Sequence, residues 1–192
     1  MSSNPSPHKR IAAAVREIIE AIGENPEREG ISGTPDRVAE MYLDLFSGIN
    51  QEPGKVLETG FEEGHREMII LRNVSFHSLC EHHLLPFYGA AHIGYIPRGR
   101  ITGISKLVHA LEILAKRPQL QERLTSQLAE VIVETLNPAG VMVVIEAEHL
   151  CMIMRGVKKS ESKVLTSATR GVFRSRAVTR GEFLSLIKGN QK

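Results

Sequence analysis

Apolar positions alternate with polar ones in two different rhythms along this chain. From Ile11, the residues Ile11, Ala14, Val15, Ile18, Ile19 and Ile22 recur at three- and four-residue intervals, the spacing of one helix face. Gly23 stands where such a helix would stop, and residues 1–8 read as a frayed tail. Thr34-Pro35 reads as the next helix start, a hydroxyl cap followed by proline in the first turn. Val38, Met41, Tyr42, Leu45 and Phe46 form its apolar stripe, which ends near Gly48. Residues 49–65 carry Pro53, Gly54, Gly60 and Gly64 and are expected to be irregular. They would connect an N-terminal helical segment, residues 1–65, to a main domain, residues 66–192.

The rhythm then changes. Residues 68–77 and 88–96 read as strands. A helix is expected from Ser105, with Leu107, Leu111 and Leu114 on one face. Pro118 would break it and start a second, carrying Leu120, Leu124, Leu128, Val131 and Thr135. Asn137-Pro138-Ala139-Gly140 is a turn, after which residues 141–147 are β-branched and apolar enough for a buried strand. A last strand lies within 163–173 and a short helix within 179–187. This order predicts an α+β domain with an antiparallel sheet and a helix pair, preceded by N-terminal helices.

Composition narrows the class. The 192 residues are 42% hydrophobic and 24% charged, enough for a real core and too apolar for wholesale disorder. No apolar run approaches the roughly 18–20 residues of a bilayer span, and the N-terminus lacks the apolar core of a signal peptide. Two cysteines do not make a disulfide framework. A soluble cytoplasmic domain with no membrane partner is expected. The net charge of +2 hides an asymmetry: residues 1–70 carry −6, residues 71–154 zero and residues 155–192 +8. That points to an anionic ligand or to complementary faces in an assembly. Nucleic acid is not expected, because the basic residues lie among apolar ones and a chain with no Trp and three Tyr lacks a stacking platform.

Candidate chemistry gathers around the cysteines. Cys80 and His83 have the two-residue separation common for metal ligands on one turn, with His77 and His82 close by. Cys151 follows His149 at the second position, so an extended backbone would project both from one face. Two thiolates and one imidazole leave a fourth tetrahedral position for water, the arrangement of catalytic zinc. The alternative is two small buried apolar cysteines with no metal. Spacing alone leaves both readings standing.

Longer motifs add a resemblance. Leu79-Cys80-Glu81-His82-His83 with Pro86-Phe87 resembles the metal-site segment of the GTP cyclohydrolase I family. So do the segments Gly103–Leu107, Arg117–Thr125, Glu148–Met152 and Met154–Val157, in order along the chain. The resemblance implies a tunnelling fold (T-fold) whose sheets join in a ring, a toroidal homodecamer with active sites between subunits. It implies conversion of GTP and water to 7,8-dihydroneopterin triphosphate and formate, the entry to folate or biopterin synthesis. Carried over by motif, Cys80, His83 and Cys151 would bind zinc, and water activated there would attack C8 of guanine. His82 would protonate the purine ring nitrogen or otherwise bind at the purine edge, His149 would move protons around C8 hydrolysis, and Ser105 would serve the later ribose rearrangement. Glu122, with Gln121 beside it, would accept from the guanine N1–H and 2-amino groups. Lys106, Arg155 and Arg37 would hold the triphosphate. One position departs from the pattern: His109 stands where many relatives carry arginine, which bears on triphosphate affinity. A relative of the same fold acting on another purine or pterin is an alternative. A metal-stabilised scaffold is a second, which would expect loss of His82 or His149; both are present. No extended N-terminal regulatory region is expected.

Overall fold

The structure, a computed structural model, describes residues 5–156, 158 and 162–188. They divide into two compact units, one up to Ser47 and one from Gly48. In the first unit, α1 (Pro7–Ala21) is capped by Ser6, whose Oγ accepts from the Lys9 N–H at 3.4 Å. Helix α2 (Thr34–Leu45) lacks the hydroxyl cap expected from Thr34. Gly33 O accepts the Arg37 N–H at 3.2 Å, the first bond of the helix, so Gly33 takes the cap position and Thr34 opens the helix. Ile19, Pro35 and Ala39 are buried in this unit.

The second unit runs β1 (Phe61–His65), β2 (Ile69–Cys80), β3 (Pro86–Ile96), β4 (Gly99–Ile101), α3 (Ile104–Ala115), β5 (Pro118–Gln119), α4 (Gln121–Leu136), β6 (Gly140–His149), α5 (Leu150–Ile153), β7 (Lys163–Gly171), α6 (Val172–Ser175) and α7 (Ala177–Lys188). Five strands join in the order β5-β2-β3-β6-β7. All neighbours are antiparallel except β5, which runs parallel to β2.

Strand alternation sorts side chains between two layers. Val141, Val143, Ile145 and Ala147 of β6 join Phe87, Ala91, Ile93 and Tyr95 of β3 in the main core, with Leu107, Leu111 and Leu114 of α3 and Leu124, Leu128 and Ile132 of α4. Met142 and Val144 enter a smaller core with Phe173 and Phe183. Gly89 is required where β3 meets β6, since a Cβ there would lie 1.9 Å from the Glu146 carbonyl oxygen. The α+β class and the helix pair against an antiparallel sheet are as expected. No helix among the described residues is long and apolar enough to cross a membrane.

Three local expectations are corrected. Residues 61–65 are not irregular; they pair with β4. Pro118 does not start α4. With Arg117 biased to extended backbone by the following proline, residues 118–119 instead lie along Leu79 and Cys80, and the Glu81 N–H donates to Gln119 O at 3.0 Å. The stretch after His149 is not extended, because α5 turns immediately at Leu150.

Candidate active site

The end of the sheet where β2 finishes, β3 begins and β6 finishes carries the cysteines. Residues 81–85 turn β2 into β3 tightly: Cys80 O accepts the Leu84 N–H at 2.8 Å and the His83 N–H at 3.3 Å, and the Cys80 N–H donates to Leu85 O at 2.9 Å. Leu84 takes a φ of 52°, a left-handed value uncommon for leucine. This turn brings His83 Nδ1 to 3.8 Å from Cys80 Sγ. Helix α5 delivers Cys151 to the same place, so one ligand atom each from Cys80, His83 and Cys151 lie within 4.8 Å of one another. Tetrahedral zinc with these donors sets ligand atoms roughly 3.5–3.8 Å apart, so the group fits a metal after a small contraction. Burial, and next the adjacent Cys80 sulfur, push the Cys151 thiol up. A divalent cation reverses that preference by favouring thiolates.

His149 closes β6 opposite Phe87, and the two rings stack with centroids 4.8 Å apart and planes 6° from parallel. Its Nε2 lies 2.7 Å from Gln121 Oε1. Burial holds the imidazole below its ordinary value, with Glu122 pulling the other way. Gln121 opens α4 and is 1% exposed; its Nε2 donates to Ile145 O, Val164 O and Thr166 Oγ1 at 3.0, 2.9 and 3.1 Å. Glu122 is exposed in the first turn of α4, where the helix dipole favours a carboxylate. His82 is exposed, its ring 6.1 Å from that of His83 and nearly perpendicular to it. Arg155 Nη1 donates to His83 Nε2 at 3.1 Å. Thus Cys80, His82, His83, Gln121, Glu122, His149, Cys151 and Arg155 gather at one end of the sheet.

Ser105, Lys106 and His109 do not join them within one chain. Helix α3 ends near this site, where Ala115 O accepts from Ser78 Oγ at 2.6 Å. It begins just after Thr102, whose N–H donates to the Tyr95 hydroxyl oxygen at 3.4 Å, near the end of β3 that pairs with Ile69. Twelve helical residues separate the two ends by about 18 Å. Arg37 is exposed on α2 in the N-terminal unit. Of the segment Met154–Val157, Val157 lies outside the described residues.

Some contributors escaped the sequence reading. Arg123 grips both carboxylate oxygens of Glu81, with Nη2 donating to Oε1 at 3.0 Å, and so ties the ligand turn to α4. Phe87 sets the plane of His149. Glu81, Phe87 and Arg123 all stood inside the quoted motifs, but no spacing rule links residues forty-two positions apart.

Residues 11–188 match the sequence profile of the GTP cyclohydrolase I family. The GTP cyclohydrolase 1 of Pelotomaculum thermopropionicum is 61% identical over 181 residues, covering 94% of this chain and 96% of that one. That of Bacillus subtilis is 59% identical over 181 residues, covering 94% and 95%. A solved archaeosine synthase QueF-Like structure in its apo form aligns at a TM-score of 0.40 and 21% identity, over 54% of this chain and 93% of that one. With the match running from α1 to the end of α7, the chain belongs to the GTP cyclohydrolase I family.

Proposed function

We propose that the chain converts GTP and water to 7,8-dihydroneopterin triphosphate and formate, acting in the cytoplasm as the entry step of tetrahydrofolate or other pterin synthesis. The observation that carries this reading is the convergence of Cys80, His83 and Cys151 beside His149, in a chain of this family. Zinc held by Cys80, His83 and Cys151 supplies Lewis acidity that makes water nucleophilic near neutral pH.

The remaining work falls to side chains. Glu122 accepts from the guanine N1–H and 2-amino groups, orienting C8; Gln121 lies beside it at the head of α4. His82, exposed and free to reach a bound purine, donates a proton at the ring nitrogen next to C8 as the imidazole ring opens. His149, fixed in plane by Phe87 and held neutral by burial, takes and returns protons around C8. Arg155 holds the triphosphate through its forked donors, with Lys106 and Arg37 adding charge. Ser105 serves the proton transfers of ribose opening and reclosure.

The distance along α3 favours a shared site: Lys106 and Ser105 serve the pocket of a neighbouring copy, in a homodecamer of ring-forming sheets. The test is GTP turnover by purified, zinc-loaded protein, with formate and reduced pterin measured in the same sample. Equal amounts of both are expected, lost in Cys80→Ala. Formate without pterin removes the rearrangement from the assignment, and neither product from folded, metal-loaded protein overturns it.

A further inference from the structure

We propose that Gln121 is a positioning residue that holds His149 in the tautomer with its proton on Nε2, leaving the Nδ1 lone pair as the ring's basic position. The role in turnover rests on the function proposed above; the tautomer itself does not.

The argument runs through hydrogen-bond direction. A glutamine amide can point two ways, and only its partners decide which end is oxygen. Here the Nε2 end faces Ile145 O at 3.0 Å and Val164 O at 2.9 Å. Backbone carbonyls only accept. Turning the amide over would set a third oxygen against these two in a position 1% exposed, a buried clash that the Thr166 hydroxyl could relieve only in part, since both carbonyls would lose their donor. The orientation is therefore locked by β6 and β7, and Gln121 Oε1 must face His149.

The hydroxyls around it obey the same direction. Thr125 Oγ1 donates to Gln121 O at 2.7 Å, which uses its one proton. Thr166 must then donate across the 2.7 Å contact to Thr125 Oγ1, and its own oxygen, 3.1 Å from Gln121 Nε2, shares one of the two amide protons with a carbonyl. Every direction in the chain is consistent. At its end, an oxygen 2.7 Å from His149 Nε2 demands a donor, so Nε2 carries hydrogen. A neutral imidazole then has its lone pair on Nδ1. The stack on Phe87 fixes the ring plane, so the direction of that lone pair is fixed as well.

This gives Gln121 a task different from direct contact with guanine. Both ends of its amide are already engaged inside the protein, and it acts through His149.

Neutron diffraction from deuterated crystals of the zinc-loaded wild-type protein reads the tautomer without substrate. Deuterium on His149 Nε2 and none on Nδ1 is expected; the reverse overturns the proposal. Kinetics then test the role. Gln121→Met should lower kcat about ten- to a hundredfold, as loss of an orienting partner does, with KM for GTP and zinc content nearly unchanged. A rise in KM at unchanged kcat would make Gln121 a substrate contact instead. In a His149→Ala background, Gln121→Met should cost nothing further, whereas an additive loss overturns the coupling. If Gln121→Met fails to fold, Thr166→Val, which removes one anchor of the amide, should show the same kcat-only loss more weakly; a loss in KM instead counts against the proposal. Wild-type protein that makes no formate from GTP defeats the function while leaving the neutron result to stand or fall alone.

Discussion

At its C-terminal end, α3 lies against the part of the sheet that holds Cys80, and several side chains there are held within one chain. Three potential ligands converge, Arg123 grips Glu81, and His149 is stacked on Phe87 and bonded to a buried amide. At its N-terminal end, about 18 Å away, Ser105 stands exposed beside Lys106, and His109 is exposed about one turn further along the helix. Lys106 and His109 are three residues apart and share a helix face. The first end has the order that bond-making chemistry needs, because misplacement by an ångström is expensive there. The second offers the Lys106 ammonium, which suits an anion delivered from elsewhere. On the reading proposed above, one chain would supply a reactive centre at one end and half of a binding site at the other.

The sharpest way to break that contrast is to remove a ligand. Cys151→Ala should release the metal and drop turnover to background, with the fold retained; full activity without bound metal would dissolve the distinction. Next, a Cys80→Ala chain and a Ser105→Ala/Lys106→Ala chain, each nearly inactive alone, should regain activity when refolded together. Random mixing restores roughly a quarter of the sites if the two ends come from different subunits. No recovery in mixed assemblies would mean each chain completes its own site.

Within the reactive end, Glu122→Ala should lower kcat/KM for GTP about ten- to a hundredfold, the cost of losing a charged pair of hydrogen bonds. Zinc content measured on the same sample should not change. Unchanged kinetics would remove Glu122 from base recognition. The smallest effect belongs to the open end. His109→Arg should lower KM for GTP only a few-fold, because an exposed charge pair is weak. A change in kcat instead would place position 109 nearer the chemistry than α3 suggests.

Legibility followed the range of the forces involved. Helical stripes and buried strands could be read because they repeat locally: α3, α4 and β6 lie close to where the apolar rhythm put them. The three side chains that come together as a possible metal group, Cys80, His83 and Cys151, could be named from their motifs. What could not be read was set by partners distant in sequence. The path of Pro118-Gln119 is decided by hydrogen bonds to the end of β2, which compete with the helix that proline commonly begins. The motif set Gln121 beside Glu122 at the guanine, and only the carbonyls of Ile145 and Val164 reveal why it is buried. Thr34 is a local exception: it looked like a cap, but the bond from the Arg37 N–H to Gly33 O starts the helix one residue earlier.

The two-residue strand β5 has a consequence for the order in which the molecule is made. It joins Leu79 and Cys80 to a segment almost forty positions later, while Cys151 arrives from seventy-one positions away. Contacts of such long sequence separation form late, after local helices and the β2–β3 hairpin, because loop closure must be overcome first. The ligand group therefore has no existence in a fragment or in a half-folded chain. Metal uptake would trail folding instead of guiding it, and a bound ion would certify that the whole sheet had closed.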